Sequence, residues 1–351
     1  MPENRAEQRS GEHAAGGGRG RLQHLERRWR HDQAEQDHSA QPHDERQERG
    51  VPDDEHLLII IARLAADLDR LTDDVLRALA NGAAASPAAL SFLLARYVAT
   101  GRADVRGALE PALAAALDRP FASLAAGDRA AWLRALVDAA PVAQDDRVLA
   151  AVDALVACLR RDWIETTCVG TSAAVLDACL ASAEIRDPRA IIPDAIDQLE
   201  RVVGAAYHPG DRLAHDWRAP ARRDGDVVDH VQCAAVLLAA YQATARIPYA
   251  MLAEELMQYA RRTWWDDEAG ALTDAAGGHS RTFEVNCAAA RVWCWLARLH
   301  ADDDYRRAAV VAPDADYRLQ AARILASPPV ESAATGVSVA VYGLAVTEYF
   351  R

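Results

Sequence analysis

Apolar residues at helical spacing, interrupted at steady intervals, are the feature that most constrains the fold of this chain. Beyond residue 50 they recur three and four positions apart, as in Ile61, Leu64 and Leu68, which places them on one face of a helix. Ser86 followed by Pro87 is typical of a capped helix start. The rest of the chain repeats this pattern of amphipathic stretch and break, which predicts an all-α domain.

About a dozen helices are predicted and no strand. The first ends near residue 81, the second spans 86–100, and the others run roughly over 103–117, 128–140, 144–163, 171–184, 188–206, 227–245, 248–264, 282–300, 303–325 and 333–350. Val337, Val339 and Val341 alternate as in a strand, but Ala and Gly surround them, so a helix is predicted there too.

The second half of the chain contains a repeat of helical hairpins. Its units begin near Ala173, Ala234 and Ala288, and each pairs an Ala-rich helix with a second, amphipathic one. In two units a loop of aromatic, polar and Gly residues follows, at 207–210 and 265–270. Small side chains permit close packing, which suits an inner ring of helices within a bulkier outer one. We therefore predict an (α/α)6 six-hairpin toroid over residues 51–351, with an open solenoid or a plain bundle as alternatives.

Residues 1–50 differ from this domain in composition. They are rich in Arg, Glu, Gln, His and Gly and nearly free of aliphatic residues, so they bury too little surface to offset their chain entropy. We predict a disordered tail or an over-extended gene start. The five histidines of this segment fit no metal-ligand spacing.

Charge and cysteine usage exclude some partners and suggest a compartment. The formal net charge of -13 argues against a nucleic-acid partner, because Lys and Arg supply that affinity. Six cysteines occur without any CxxC pair, and they are interpreted as small hydrophobic side chains in a reducing compartment. No run of about 18 apolar residues and no signal-peptide core is present, so we predict a cytoplasmic protein without a membrane partner.

Short motifs between residues 170 and 350 resemble a known family. They are GDRLAHDW at 210–217, DHV at 229–231, LLAAYQAT at 237–244, WWD at 264–266, NCAA at 286–289 and LARL at 296–299. These segments resemble the carboxy-terminal half of the spermatogenesis-associated, thioredoxin-fused proteins, although no thioredoxin-like domain precedes them here. The resemblance implies a six-hairpin toroid related in shape to N-acylglucosamine 2-epimerases and six-hairpin glycosidases.

Three residues near the starts of inner helices are the catalytic candidates. Asp229 beside His230 could act as a general acid/base pair, since a carboxylate can hold an imidazole's tautomer. Glu284 lies 55 residues after Asp229, at the equivalent place in the next hairpin, so these two could form the carboxylate pair that glycoside cleavage requires. The alternative for the acidic residues is helix capping, which is worth about 0.3–1 kcal/mol.

Four further residues are predicted to bind substrate at the same mouth of the ring. His215 and Asp216 precede Trp217, and an indole beside a carboxylate suits a sugar; a Trp that only seals the ring's edge is the alternative. Asn286 begins the next inner helix. No GxGxxG, phosphate loop, HExxH or GxSxG motif occurs, so we predict neither a cofactor nor a metal site.

Two classes of function follow from this toroid. The first is a carbohydrate-active enzyme, a hydrolase or an epimerase, acting on a sugar or polyol in the mouth of the ring. The second is a non-catalytic scaffold that binds a ligand or an unidentified partner protein. The enzyme requires at least two ionisable groups that converge on one cavity.

Overall fold

The computed structural model of the chain describes residues 54–210, 212–273, 283–327 and 335–351. The thirteen α-helices within these ranges are α1 (Asp54–Ala80), α2 (Pro87–Thr100), α3 (Ala103–Leu117), α4 (Ala126–Ala143), α5 (Asp146–Asp162), α6 (Val169–Ser182), α7 (Pro188–Ala206), α8 (Val227–Thr244), α9 (Ile247–Trp264), α10 (Phe283–His300), α11 (Asp303–Ala309), α12 (Tyr317–Leu325) and α13 (Val339–Tyr349). Short 3-10 turns span Phe121–Ser123 and Gly336–Ser338. The predicted tail at 1–50 and the boundary at residue 51 lie outside the described residues.

The helices form a closed (α/α)6 toroid, which confirms the predicted fold class. Six inner helices, α2, α4, α6, α8, α10 and α13, pack each against the next, and α13 packs back against α2. The outer layer consists of α3, α5, α7, α9, the pair α11–α12, and α1, which packs against the last inner helix. Inner and outer helices alternate along the chain and run in opposite directions. The inner helices therefore all begin at the same end of the ring, which we call the N-terminal mouth.

Local capping chemistry explains where individual helices begin and end. The Ser86 side chain accepts a hydrogen bond from the Ala89 amide, and Pro87 occupies the first turn of α2. Gly101 ends α2 in the left-handed conformation, at φ 65°. Asp145 and Asp187 cap the outer helices α5 and α7 in the same way as Ser86. The predicted capped start at Ser86 is therefore present, whereas α3, α4, α6 and α9 begin without a side-chain cap.

The predicted helix over 303–325 is interrupted in the structure. Helix α11 ends at Ala309, and α12 begins at Tyr317 after a linker that contains Pro313. The amides of Val311 and Ala312 in this linker donate to the buried carboxylate of Glu254 on α9. A carboxylate from the neighbouring outer helix therefore replaces the helical hydrogen bonds that these amides would have made.

The strands of the described residues are confined to one hairpin. Strands β1 (Trp265–Asp266) and β2 (Ala271–Leu272) pair antiparallel around a turn in which Gly270 has φ 62°. Isolated bridges also join residue 168 to 216 and residue 214 to 224. No helix of the described residues is long and apolar enough to cross a membrane.

Candidate functional site

Asp229 is a buried hydrogen-bond acceptor in the first turn of α8. Its Oδ1 accepts from the Gly170 amide at 2.8 Å, and its Oδ2 accepts from the Asp226 amide at 3.0 Å. Oδ2 also lies 2.8 Å from Nδ1 of His215. Together with Asp226 it forms a capping box, so the capping alternative describes part of its role. The hydrogen bond from Gly170 also joins the start of α6 to the start of α8.

His230 is fully buried and bonded to the backbone on both ring nitrogens. Its Nε2 accepts from the Leu213 amide at 3.1 Å, and its Nδ1 donates to the Asp226 carbonyl at 2.8 Å. The ring stacks on Tyr259 at 5.0 Å and meets the edge of Trp264 at 4.9 Å. Burial lowers the pKa of His230 and outweighs the nearby carbonyl and carboxylates. A neutral imidazole is also what the Leu213 amide requires as its acceptor.

Asn286 holds the loop of the next hairpin in the same way. It is buried, and its side chain both accepts from the Leu272 amide at 2.8 Å and donates to the Leu272 carbonyl at 3.0 Å. His230 and Asn286 are each the fourth residue of their helix, and each binds the backbone of a leucine that follows a loop containing Gly. The sequence repeat is therefore a structural repeat in which these positions tie loops to inner helices.

His215 and Asp216 lie in the loop between α7 and α8, beside Asp229. The His215 side chain is 25% exposed and is oriented by its contact with Asp229. The Asp216 carboxylate accepts from the amides of Arg218 and Ala219, and these hydrogen bonds, Arg218 first, lower its pKa. Asp216 therefore shapes the loop, while His215 keeps one face open to solvent.

Trp217 and Glu284 differ in how they are held. The Trp217 indole donates to the Thr166 carbonyl at 2.9 Å, and Arg218 lies over its ring at 5.0 Å. Its ring packs against the core, as a side chain that seals the edge would. Glu284 is exposed in the first turn of α10.

The structure thus brings Asp229, His215, His230 and Asp216 together at the N-terminal mouth, while Glu284 and Asn286 start the neighbouring helix. Two of the three catalytic candidates, Asp229 and His230, are buried. The catalytic and substrate-binding roles assigned to the seven residues stay predictions.

A second group of ionisable residues lines the cavity at the centre of the ring. This cavity has a volume of about 910 Å³. Each of the six inner helices contributes a polar residue to its wall, namely Ser91, Arg134, Asp177, Gln232, Arg291 and Glu348 in chain order. Such a wall offers both donors and acceptors to a polar ligand enclosed by the ring.

Arg134 on α4 lies between two carboxylates of this wall. Its Nε is 3.8 Å from Asp138, and its Nη1 is 3.6 Å from Asp177 on α6. Ser91 donates to the second oxygen of Asp138 at 2.7 Å. Both contacts are made to one guanidinium group, so the contacting oxygens of Asp138 and Asp177 are at most about 10 Å apart. This limit is compatible with the separations of the two carboxyl groups in glycosidases.

The acidic residues of the cavity wall determine the pKa of Arg134. Burial works to lower the pKa of Arg134, but the carboxylates of Asp177, Asp138, Glu184 and Glu348 outweigh it, so the pKa is raised. Arg134 therefore stays charged, and the cavity holds a fixed cation between two acidic side chains.

This group was not predicted from the sequence, because Arg134, Asp138 and Asp177 lie inside their helices and not at the helix starts. Asp177 is the single charged residue of α6, and Asp138 follows Arg134 by one helical turn within the Ala-rich α4. A lone charge inside an otherwise apolar inner helix was the available signal, since it must face a cavity or a partner. Cys168 was missed too: it precedes α6 and remains partly exposed, unlike four other cysteines that are buried.

Comparisons with known proteins agree with the architecture. No protein-family model matches the chain, and no curated protein matches it in sequence. Among solved structures, an inactive variant of the α-1,6-mannanase GH76A of Salegentibacter sp. HEL1_6, in complex with α-1,6-mannotetrose, is similar with a TM-score of 0.57 and 12% identity, over 81% of this chain and 98% of that chain.

A second structure of the same mannanase is similar over the same shares of the two chains, with a TM-score of 0.52 and 12% identity. At this level of identity the likeness establishes the six-hairpin glycosidase-like fold of this chain. The inactive variant was made by replacing two adjacent aspartates with alanine.

Proposed function

We propose that this chain is a carbohydrate-active enzyme that binds a sugar in the central cavity of the ring and cleaves a glycosidic bond there. The observation that carries the proposal is the pair Asp138 and Asp177, on neighbouring inner helices and on either side of Arg134. The side chains are 36% and 29% exposed, so a ligand in the cavity can reach both carboxylates.

The chemistry of glycoside cleavage fits two carboxyl groups in a cavity to which each inner helix contributes a polar residue. One group protonates the oxygen of the leaving sugar, while the other activates a water molecule or attacks the anomeric carbon. Water supplies the hydroxyl group that completes the product. Arg134 and the polar residues that surround it are suited to hold sugar hydroxyls by hydrogen bonds.

The proposed pair differs in kind from the adjacent aspartates replaced in the inactive mannanase variant. Within the described residues of this chain, adjacent aspartates occur at 73–74, 145–146, 266–267 and 302–304, and none of these positions lines the cavity. Any carboxylate pair in the cavity must therefore come from different turns or different helices.

Ligand binding and product analysis test the proposal. We expect α-1,6-mannotetrose, or another member of a panel of α- and β-linked oligosaccharides, to bind with one-to-one stoichiometry in calorimetry and to yield shorter sugars on chromatography. Ala131→Trp, a substitution in the cavity wall, should abolish binding, whereas Ala115→Trp on the outer surface of α3 should not.

The other outcomes separate the alternatives. Binding without cleavage would contradict the catalytic half of the proposal and favour the non-catalytic scaffold. A complete lack of binding across the panel, or binding that Ala131→Trp leaves unchanged, would contradict the cavity as the sugar site.

We also propose that the chain is a distant relative of the spermatogenesis-associated, thioredoxin-fused proteins. The structural roles of Asp229, His230 and Asn286 support this kinship, because the shared motifs contain them. Superposition on an experimental structure of that family tests it: the motif residues should bind the same loops, and different positions in the ring would contradict the relationship. The predicted cytoplasmic location stays a prediction.

A further inference from the structure

We propose that Cys168, His215 and Asp229 form a binding site for a divalent transition-metal ion of the zinc class at the N-terminal mouth. A thiolate, an imidazole nitrogen and a carboxylate oxygen are the three ligand types that zinc prefers in proteins. The sequence predicts no metal site here, and the three ligands lie far apart in the chain and match no motif spacing.

The distances between the three side chains suit one shared ion. A ligand atom of each residue lies within 4.8 Å of those of the other two. The Cys168 Sγ is 3.8 Å from one Asp229 oxygen, and the His215 Nδ1 is 2.8 Å from the other. Tetrahedral zinc with bonds of about 2.0–2.3 Å holds its ligand atoms roughly 3.3–3.8 Å apart. Shifts of less than an ångström in the side chains would therefore accommodate the ion.

Backbone pairing fixes the two partly exposed ligands next to each other. Cys168 is the residue before α6, and it bridges to Asp216, the neighbour of His215. The Val169 amide donates to the His215 carbonyl at 2.8 Å, and the Trp217 amide donates to the Thr167 carbonyl at 3.1 Å. Two chain segments that are remote in sequence are thus held in register on both sides of the site, which pre-organises the ligands.

The third ligand, Asp229, is oriented by its own hydrogen bonds. The amides of Gly170 and Asp226 each donate to one of its oxygens, as supporting residues do around ligating carboxylates. A Cβ atom at Gly170 would lie 3.0 Å from Oδ1, and one at Gly225 would lie 3.3 Å from Oδ2 and 2.7 Å from the Leu213 carbonyl. The lack of a side chain at both glycines therefore leaves space for the Asp229 carboxylate.

Metal binding changes the protonation of the cluster in a defined way. The Cys168 thiol, which donates to Asp229, gives up its proton to the solvent, and the imidazole binds in its neutral form. The thiolate and the carboxylate together then neutralise the charge of a divalent ion. Cys168 and His215 are partly exposed, so a fourth position is open to water or to a ligand, as in catalytic rather than structural zinc sites.

This site is independent of the sugar cavity, because no residue of the cluster lines that cavity. Cobalt(II) is the probe for its test, since it substitutes for zinc and shows a thiolate-to-metal charge-transfer band in the near ultraviolet. The full chain, treated with a chelator and then titrated with cobalt, should develop this band at one equivalent, and zinc should remove it. Histidines of the first 50 residues could also bind metal, but they cannot give a thiolate band.

Matched variants identify the ligands. Cys168→Ser should abolish the band and His215→Ala should weaken binding at least tenfold, while Cys158→Ser should leave both unchanged. Cys158 is the right control because it is the other partly exposed, unpaired cysteine, and it lies on the outer helix α5. Circular dichroism of each variant checks that the helices are intact.

Three results would overturn the proposal: no charge-transfer band in the unmodified chain, a band that survives in Cys168→Ser, or a band that is lost in Cys158→Ser. Because the readout is spectroscopic, it is independent of any sugar-directed activity.

Discussion

Glu254→Gln is expected to destabilise the protein by about 1.5–3 kcal/mol, the usual contribution of hydrogen bonds to a charged group. Glu254 is completely buried on the outer helix α9. Its carboxylate accepts from His300 at 2.9 Å, from the Tyr317 hydroxyl at 2.9 Å and from the Val311 and Ala312 amides at 3.0 Å. Glutamine replaces one oxygen with a donor, which faces these donors and leaves some of them unpaired.

The loss of stability caused by Glu254→Gln should be largest at neutral pH and smaller in acid. Burial alone would raise the pKa of Glu254, but the hydrogen bonds from His300, Val311 and Ala312 outweigh it, so the pKa is lowered from its ordinary 4.5. A lowered carboxyl pKa stabilises the folded state above about pH 4.5, and this contribution is lost as the pH falls through the folded value. The difference between the two proteins should therefore shrink below pH 4.5.

Urea denaturation at pH 7 and at several acidic pH values measures both effects. Glu110→Gln is the matched control, since Glu110 is 69% exposed and paired with Arg106 at the surface, where such pairs are worth at most about 1 kcal/mol. A loss for Glu254→Gln no larger than that of the control would contradict the buried network.

Asp177→Asn is expected to lower turnover of a cleaved oligosaccharide by about 10²–10⁴-fold, the usual contribution of general acid–base catalysis. The amide keeps the shape of the side chain but cannot exchange a proton. Stability should change by less than about 1 kcal/mol, because the contact with Arg134 is partly exposed. Asp138→Asn should show a comparable loss of turnover.

Asp153→Asn controls for the removal of an ion pair as such. Asp153 contacts Arg186 at 2.7 Å on the outer side of the ring, and it does not line the cavity. Steady-state kinetics with thermal melts of each variant separate turnover from stability. Full turnover in Asp177→Asn and Asp138→Asn would contradict the catalytic pair, whereas a loss in Asp153→Asn as well would indicate a general effect of charge.

The helices and their order could be predicted from the sequence because local signals specify them. Ser86 and Pro87 mark a helix start whichever fold the chain adopts, and the apolar period reports a buried face. The break between α11 and α12 has local signals too, Pro313 and the capping residue Asp316, which the predicted helix over 303–325 did not take into account. What no local signal reveals is the partner of the linker amides, because the position of Glu254 beside them follows from the packing of another hairpin.

The site was predicted less well, for a related physical reason. The sequence repeat predicted that Asp229 and Glu284 are equivalent, but in the structure the equivalent residues are His230 and Asn286, each the fourth residue of its helix. Polar residues at helix starts also serve the backbone as readily as a substrate. Nothing local distinguishes the two roles, since the partner atoms on Leu213 and Leu272 belong to distant loops. Asp177 and Asp138 become a pair only when their two helices pack together.

Every role assigned to the cavity requires that the ring is closed, and Gly343 lies where the last inner helix meets the first. A Cβ atom at Gly343 would lie 2.5–2.9 Å from ring atoms of Phe92, which is fully buried on α2. Gly343→Ala should therefore destabilise the protein by about 1–3 kcal/mol through overpacking. In an open arrangement the same change would stabilise α13 by up to about 1 kcal/mol, because alanine favours helices over glycine.

A double-mutant cycle between Phe92→Leu and Gly343→Ala, measured by urea denaturation, decides between these arrangements. The closed ring predicts that Gly343→Ala destabilises the natural sequence but is neutral or stabilising once Phe92 is replaced by leucine. A stabilising effect of the same size in both backgrounds would contradict contact between α2 and α13, and with it the closed ring and its cavity.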